Sequence, residues 1–342
     1  MSKFVSLDEI RAAKIRISGV AVRTPLYRVE RARLRMGNFP EPEFDLYIKA
    51  ESEQPIGSFK LRGAYNMVSQ LSPEALSRGV ITYSSGNHAQ GVAYAARALG
   101  AKAVIVMPNN APEVKKAATR ALGAEIVEVG PASSERRLKA EELVATHGYA
   151  MIPPYDAPQI IAGQATCGLE IVEQLPGVEL VLSPVSGGGL LSGIATAVKL
   201  AAEAGLAVPS VKVWGAEPEL AADAKESFYS KTLVEWPASK TTRTIGDGLR
   251  TQSLGVLNFA HVLQFVDGIV TVTEDEILAA MRIMLAATKL VPEPSGAVTL
   301  AAALFHAHEL PSARKVAVVL SGGNLEPALR EQLEAEPAAA QA

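Results

Sequence analysis

The sequence predicts an α/β fold built on two open, mostly parallel twisted sheets covered by helices. Three observations carry this. Short apolar runs of β-like composition alternate with helical stretches along the chain. The runs are apolar almost throughout rather than at every second residue, as in strands buried on both faces of a parallel sheet. At 342 residues the chain is also longer than one hydrophobic core usually organises, so about two units are expected.

Ser6-Leu7-Asp8-Glu9 is a capping-box pattern and places the start of the first helix. Leu46–Ala50 reads as a strand, and the helical run Leu61 to Leu71 follows it, with Leu61, Ala64, Tyr65 and Val68 on its apolar face. Strand candidates then recur at Val80–Tyr83, Ala103–Met107, Ile126–Val129, Leu180–Val185, Val211–Ala216 and Val316–Leu320. Helix candidates between them are His88–Leu99, Val114–Leu122, Glu135–Thr146, Gly163–Gln174 and Leu190–Ala204. Gly100, Gly123, Gly148 and Gly205 stand where a helix ends in a left-handed residue. No internal repeat or low-complexity linker is visible, so any division into units comes from topology.

Composition excludes several function classes. Hydrophobic residues make up 48% and charged residues 20%, a globular balance. A net charge of −3 gives no electrostatic case for a nucleic-acid or membrane-surface partner. The single cysteine, Cys167, forms no internal disulfide and fits a reducing cytoplasm. The first residues carry no secretory h-region, and no stretch approaches a membrane span.

Open α/β sheets bind ligands beyond the carboxyl ends of their strands, so those loops hold the candidate chemistry. Lys60, in Gly57-Ser58-Phe59-Lys60-Leu61-Arg62-Gly63, sits at a strand-to-helix junction. A lysine buried there loses hydration, its pKa falls, and it can serve as nucleophile and base; a solvated lysine at a helix start is the ordinary alternative. Ser84-Ser85-Gly86-Asn87-His88-Ala89-Gln90-Gly91 opens a helix whose free N–H groups suit an anion, although Ser85 or Asn87 as a plain cap fits equally. Ser186-Gly187-Gly188-Gly189-Leu190 is chemically a phosphate cradle at a helix N-terminus. It lacks the Lys-Ser/Thr of a Walker loop. With Glu217 ending the next strand it also allows a nicotinamide-dependent oxidoreductase. Glu217-Pro218-Glu219-Leu220-Ala221-Ala222-Asp223 offers oxygens for a cation, or is a solvated turn. Ser321-Gly322-Gly323-Asn324 closes a buried strand, with Ser321 facing a ring nitrogen or capping the next helix.

Ser-Phe-Lys-Leu-Arg-Gly, Ser-Ser-Gly-Asn-His-Ala-Gln-Gly, Ser-Gly-Gly-Gly-Leu and Leu-Ser-Gly-Gly-Asn stand in the order found in fold-type-II pyridoxal phosphate enzymes. Within them the chain resembles the serine/threonine dehydratase and serine racemase branch, from about residue 6 to 328. The resemblance implies a discontinuous large domain (1–78 plus 157–330), a small mobile domain (79–156) and a homodimer or higher homo-oligomer, and the Ala-, Glu- and Pro-rich end of the chain reads as a flexible tail (331–342). It implies that Lys60 carries pyridoxal 5′-phosphate as a Schiff base and moves the substrate α-proton. Gly187, Gly188, Gly189 and Leu190 would hold the phosphate, Asn87 the ring oxygen, Phe59 a ring face, Gly248 the ring substituents and Ser321 the ring nitrogen, with Glu293 close by. A neutral hydroxyl at the ring nitrogen gives a weaker electron sink, which suits β-elimination. Ser84, Ser85, Asn87 and His88 would bind the substrate carboxylate.

The implied reaction is loss of water from a β-hydroxy amino acid of the L-serine or L-threonine type, giving a 2-keto acid and ammonia. Ser85, where many threonine dehydratases have Ala, permits a second acid/base and hence racemisation. Glu217, Ala221 and Asp223 match the divalent-cation site of the racemase branch, for Mg²⁺ or Mn²⁺, Ca²⁺ or K⁺. Arg136-Arg137 stand where racemases have Arg-Glu. They read as a solvated helix face or as a site for the second carboxylate of hydroxyaspartate.

Overall fold

The computed structural model describes residues 4–34, 41–84, 86–111, 113–130 and 133–335. Among them, ten strands form two sheets: β1 (Leu26–Val29), β2 (Asp45–Ala50), β3 (Val80–Tyr83), β4 (Ala103–Pro108), β5 (Glu125–Val129), β6 (Ala150–Met151), β7 (Leu180–Pro184), β8 (Lys212–Pro218), β9 (Gly268–Val272) and β10 (Lys315–Leu320). The six-stranded sheet has the order β1-β2-β10-β7-β8-β9, and the four-stranded sheet β5-β4-β3-β6. Every pairing is parallel except β1 with β2. The four-stranded sheet thus draws all its strands from residues 80–151.

The apolar strands are explained by helices on both faces. In the large sheet, Val181, Ala317 and Val319 join one core cluster while Leu180, Leu182, Val316, Val318 and Leu320 join another. In β4, Ala103, Ile105 and Met107 point into one cluster and Val104 and Val106 into the other. The period-2 alternation is therefore present, but both sets are apolar because both are covered.

The structure adds β1, β6 and β9 to the strands expected from the sequence. β1 contains Arg28, and its two central side chains are exposed; β6 has two residues. Neither β1 nor β6 signals a buried strand, whereas β9 (Gly-Ile-Val-Thr-Val) is apolar and buried and lay within reach of the same reading. The capping box at Ser6 and Glu9 forms as expected, and Gly100, Gly123, Gly148 and Gly205 all take positive φ. The helix expected from Gly163 begins earlier, at Pro158, because proline is favoured in a first turn. The expected tail needs correction at its start: residues 331–335 continue the helix Pro327–Ala335, and Leu333 is buried. Among the described residues no helix is long and apolar enough to cross a membrane.

Candidate active site

The carboxyl ends of β2, β3, β7 and β10 converge, and Lys60 lies among them as the first residue of the helix Lys60–Val68. Three contacts hold that helix start. Ser58 bridges Gly322 across the end of β10, and the Phe59 N–H donates to the Ser321 carbonyl at 3.0 Å. The helix Asn87–Ala98 approaches so closely at Gly91 that a Cβ there would lie 3.2 Å from the Lys60 carbonyl carbon. Two residues on, the Arg62 guanidinium is fully buried and donates to both Glu51 and Glu170. Lys49 donates to Glu170 and to the Thr24 carbonyl in the same buried cluster. Two cations and two carboxylates therefore fix the Lys60 helix to β2 and to the helix Pro158–Gln174.

The Lys60 Nζ donates to the Pro154 carbonyl at 2.8 Å and stands 5.1 Å from the centre of the Phe59 ring. Burial pushes its pKa down to about 8, against the opposing pull of Glu293. The lysine is thus partly neutral near physiological pH, as a nucleophile and base requires.

Asn87 opens its helix without capping it. Its Nδ2 donates to Glu293 Oε1 at 2.7 Å, and its Oδ1 accepts from Asn324 Nδ2 at 2.7 Å. Asn324 also donates to the Ile56 carbonyl, so the amide of Asn87 is oriented from both ends. Burial and the nearby Asp247 charge raise Glu293 to about 7, while the Asn87 hydrogen bond works the other way. Asp247 in turn pairs with Lys115 of the helix Glu113–Ala121. His88 is buried, with Nε2 3.0 Å from the Ile152 carbonyl. Burial and the Lys60 charge push its pKa down to about 3, so it is neutral. Its imidazole is committed to that carbonyl, which leaves its main-chain N–H as its group for a carboxylate. Ser84 lies at the same turn, its Oγ accepting from Gly86 N; Ser85 lies outside the described residues.

The glycine run opens the helix Gly189–Glu203, which has no side-chain cap. Uncapped first-turn N–H groups and the helix dipole suit a phosphate. Gly188 takes φ 91°, and Ser186 takes φ 56° and donates to the Gly248 carbonyl at 2.9 Å. A Cβ on Gly187 would collide with the Tyr155 ring, and one on Gly189 would lie 2.9 Å from Tyr155 Cβ. Glycine is therefore required here by the packing of Tyr155. Gly248 N donates to Ser295 Oγ at 2.9 Å, and Ser321 is buried at the end of β10. The residues fit pyridoxal phosphate: they supply a partly neutral lysine, an uncapped helix start and an oriented amide, and the Pro154-Tyr155 segment touches both the lysine and the glycine run. Sequence reasoning missed Pro154, Tyr155 and the orienting role of Asn324. The first two follow the two-residue β6 in a stretch without a motif, whereas Asn324 stood in a motif and gave a usable signal.

Glu217 and Asp223 are both buried at the end of β8 and the start of the helix Asp223–Ser230. Asp223 Oδ2 has no hydrogen-bond partner. Burial raises Asp223 to about 7, with Glu226 adding to the rise and a main-chain hydrogen bond opposing it. Burial and Asp223 raise Glu217 well above the usual carboxylate range, although the Lys225 N–H bond lowers it. Among the described residues no trio of His, Cys, Asp or Glu forms a metal-ligand cluster. Arg137 is exposed and pairs with Glu141 at 3.4 Å. Arg136 departs from the solvated-face reading: it is half-buried, and Tyr83, at the end of β3, feels its charge.

The family described as "Pyridoxal-phosphate dependent enzyme" matches residues 17–322. The L-threo-3-hydroxyaspartate ammonia-lyase of Saccharomyces cerevisiae is 39% identical over 318 residues, 93% of each chain. A threonine deaminase from T.th. superposes with a TM-score of 0.85 at 44% identity, covering 94% of this chain and 99% of its own. Maize serine racemase gives a TM-score of 0.87 at 34% identity, covering 97% of each chain. A family match from residue 17 to residue 322 and relatives of this similarity show that the chain belongs to the pyridoxal-phosphate dependent enzymes.

Proposed function

We propose that the protein is a dehydratase (ammonia-lyase) of β-hydroxy amino acids, turning L-serine- or L-threonine-type substrates into a 2-keto acid and ammonia. The observation that carries this is Lys60, with its pKa lowered to about 8 and its amine held by the Pro154 carbonyl. Gly187, Gly188, Gly189 and Leu190 would hold the phosphate and Asn87 the ring oxygen, with Phe59, Gly248, Glu293 and Ser321 as the further residues that would hold the ring. Bound there, pyridoxal phosphate supplies the electron sink for charge developing at the substrate Cα. Ser84 and the first N–H groups of the helix Asn87–Ala98 hold the substrate carboxylate. The Lys60 amine removes the proton from Cα, and that proton is returned to the β-hydroxyl, which leaves as water. The enamine so released tautomerises and hydrolyses to the keto acid. The neutral His88 adds no competing positive charge beside Lys60.

A dicarboxylic substrate is the second reading. It is favoured by Arg136, half-buried beside Tyr83, and by the likeness to an L-threo-3-hydroxyaspartate ammonia-lyase. Glu217, the Ala221 carbonyl and Asp223 would hold a divalent cation, which the unpartnered Asp223 Oδ2 supports. Ser85 is the candidate for a second acid/base.

Ammonia release from L-serine, L-threonine, L-threo-3-hydroxyaspartate and phenylserine tests the proposal. Turnover of at least one is expected, with Lys60→Ala inactive. Keto-acid formation by Lys60→Ala would contradict the role of the lysine.

A further inference from the structure

We propose that Pro154, Tyr155 and Asp156 form a clamp that seats the Lys60 amine and ties that seat to the phosphate cradle, a role that rests on the pyridoxal phosphate reading above. Three consecutive residues make three different contacts. Pro154 offers its carbonyl, which accepts from Lys60 Nζ at 2.8 Å. Tyr155 lays its ring against Gly187 and its Cβ and backbone against Gly189. Asp156 turns its carboxylate onto the start of the helix Val256–Phe265, accepting from the N–H groups of Val256 at 3.1 Å, Leu257 at 2.9 Å and Asn258 at 3.3 Å.

That helix has Gly255 at its cap position and no cap of its own. Asp156 supplies from another part of the chain the oxygen that a local Ser, Asp or Asn normally provides. The capped helix then backs the cradle. Gly255 N donates to the Gly187 carbonyl at 3.1 Å, and a Cβ on Gly188 would lie 2.9 Å from Asn258 Cβ. A shift of Asp156 is therefore carried to the cradle through the helix and to the Lys60 seat through two residues of backbone.

The consequence concerns the stage at which the Lys60 amine is free. An amine that takes a proton from Cα must be neutral and held in place. A main-chain carbonyl accepts an N–H from a neutral amine and adds no net charge. Loosening the clamp admits water, restores hydration of the ammonium and raises the lysine pKa toward its ordinary 10.5.

The test uses full-length protein stripped of cofactor and mixed with pyridoxal phosphate. Covalent attachment to Lys60 is followed by visible absorbance and by borohydride fixation as a function of pH. Wild-type attachment is expected to have its midpoint near 8. Asp156→Ala and Tyr155→Ala are expected to raise the midpoint by about one pH unit and so slow attachment at neutral pH by about tenfold, the loss of neutral amine that such a shift brings. Asp156→Asn keeps an accepting oxygen and Tyr155→Phe keeps the ring, so both stay close to wild type. A merely structural role would lower the melting temperature and leave the midpoint in place. An unmoved midpoint in folded Asp156→Ala overturns the clamp; if that variant does not fold, Tyr155→Ala against Tyr155→Phe decides in the same way. No attachment by the wild-type protein overturns the pyridoxal phosphate reading itself, and the clamp with it.

Discussion

Replacing Arg62 by Met should be among the most destabilising single changes near the site. Arg62 and Glu51 have no solvent exposure, and Glu170 has 4%. The guanidinium makes charge-assisted bonds of 2.7 and 2.8 Å to Glu51 and of 2.7 and 2.9 Å to Glu170, with Thr166 Oγ1 at 3.0 Å. Methionine fills much of the volume but leaves two buried carboxylates facing Lys49 alone. Breaking a buried pair from one side costs about 3–5 kcal/mol. The Glu51 carboxyl gives a second route to the figure. Burial alone would raise it, but the charge and hydrogen bonds of Arg62 outweigh burial and hold it at about 2 against an ordinary 4.5. That difference corresponds to about 3 kcal/mol at neutral pH. With an unfolding entropy of about 2 cal/mol/K per residue, a loss of about 4 kcal/mol lowers the melting temperature of a chain this long by about 5–6 °C. The sign of the pH dependence follows from the lowered pKa. This stabilisation is present above 4.5 and is lost as pH falls through about 2. Thermal melts across that range should therefore show an acid limb in the wild type that is blunted in Arg62→Met, and adding Glu51→Gln should recover part of the loss at neutral pH. A loss below about 1 kcal/mol at neutral pH would refute the reasoning, since exposed pairs are worth that little.

Gly187→Ala drives a Cβ into the Tyr155 ring and should cost about 1–3 kcal/mol of overpacking, read as weaker equilibrium binding of pyridoxal phosphate; unchanged affinity would remove the packing argument. The raised pKa of Asp223 means that the cation-free fold loses stability as pH rises from 3.8 through about 7. Mg²⁺ should therefore raise the melting temperature more above that window than below it. Asp223→Asn should abolish the Mg²⁺ response, and a response that persists would show that the cation binds elsewhere. His306 sits between Glu276 at 3.0 Å and Glu309 at 2.6 Å; burial lowers its pKa, but those carboxylates prevail and raise it above 6.5. Its contribution is full below 6.5 and fades as pH climbs through the raised value, so His306→Gln should flatten the melting profile there and leave it unchanged if the contacts do not matter.

The α/β class, seven of the ten described strands and the four loops were legible in the sequence because each rests on local chemistry. Apolar runs mark strands buried on both faces, glycine takes the positive φ that ends a helix, and Ser6 and Glu9 cap one another within a single turn. Lys60 and the Gly187–Gly189 run were legible for the same reason. What stayed hidden depends on contacts between distant segments. β1 exists because β2 offers an edge to pair with, not because Leu26–Val29 is strongly strand-forming. The sequence by itself determined which residues could do the chemistry. Only the tertiary structure decided that Lys60 is desolvated enough for its pKa to fall to about 8, that Asn87 is oriented by Glu293 and Asn324, and that Pro154 and Tyr155 touch the lysine and the glycine run. The physical reason is that desolvation and hydrogen-bond partnership belong to the surroundings of a side chain, and here those surroundings come from residues up to 237 positions away.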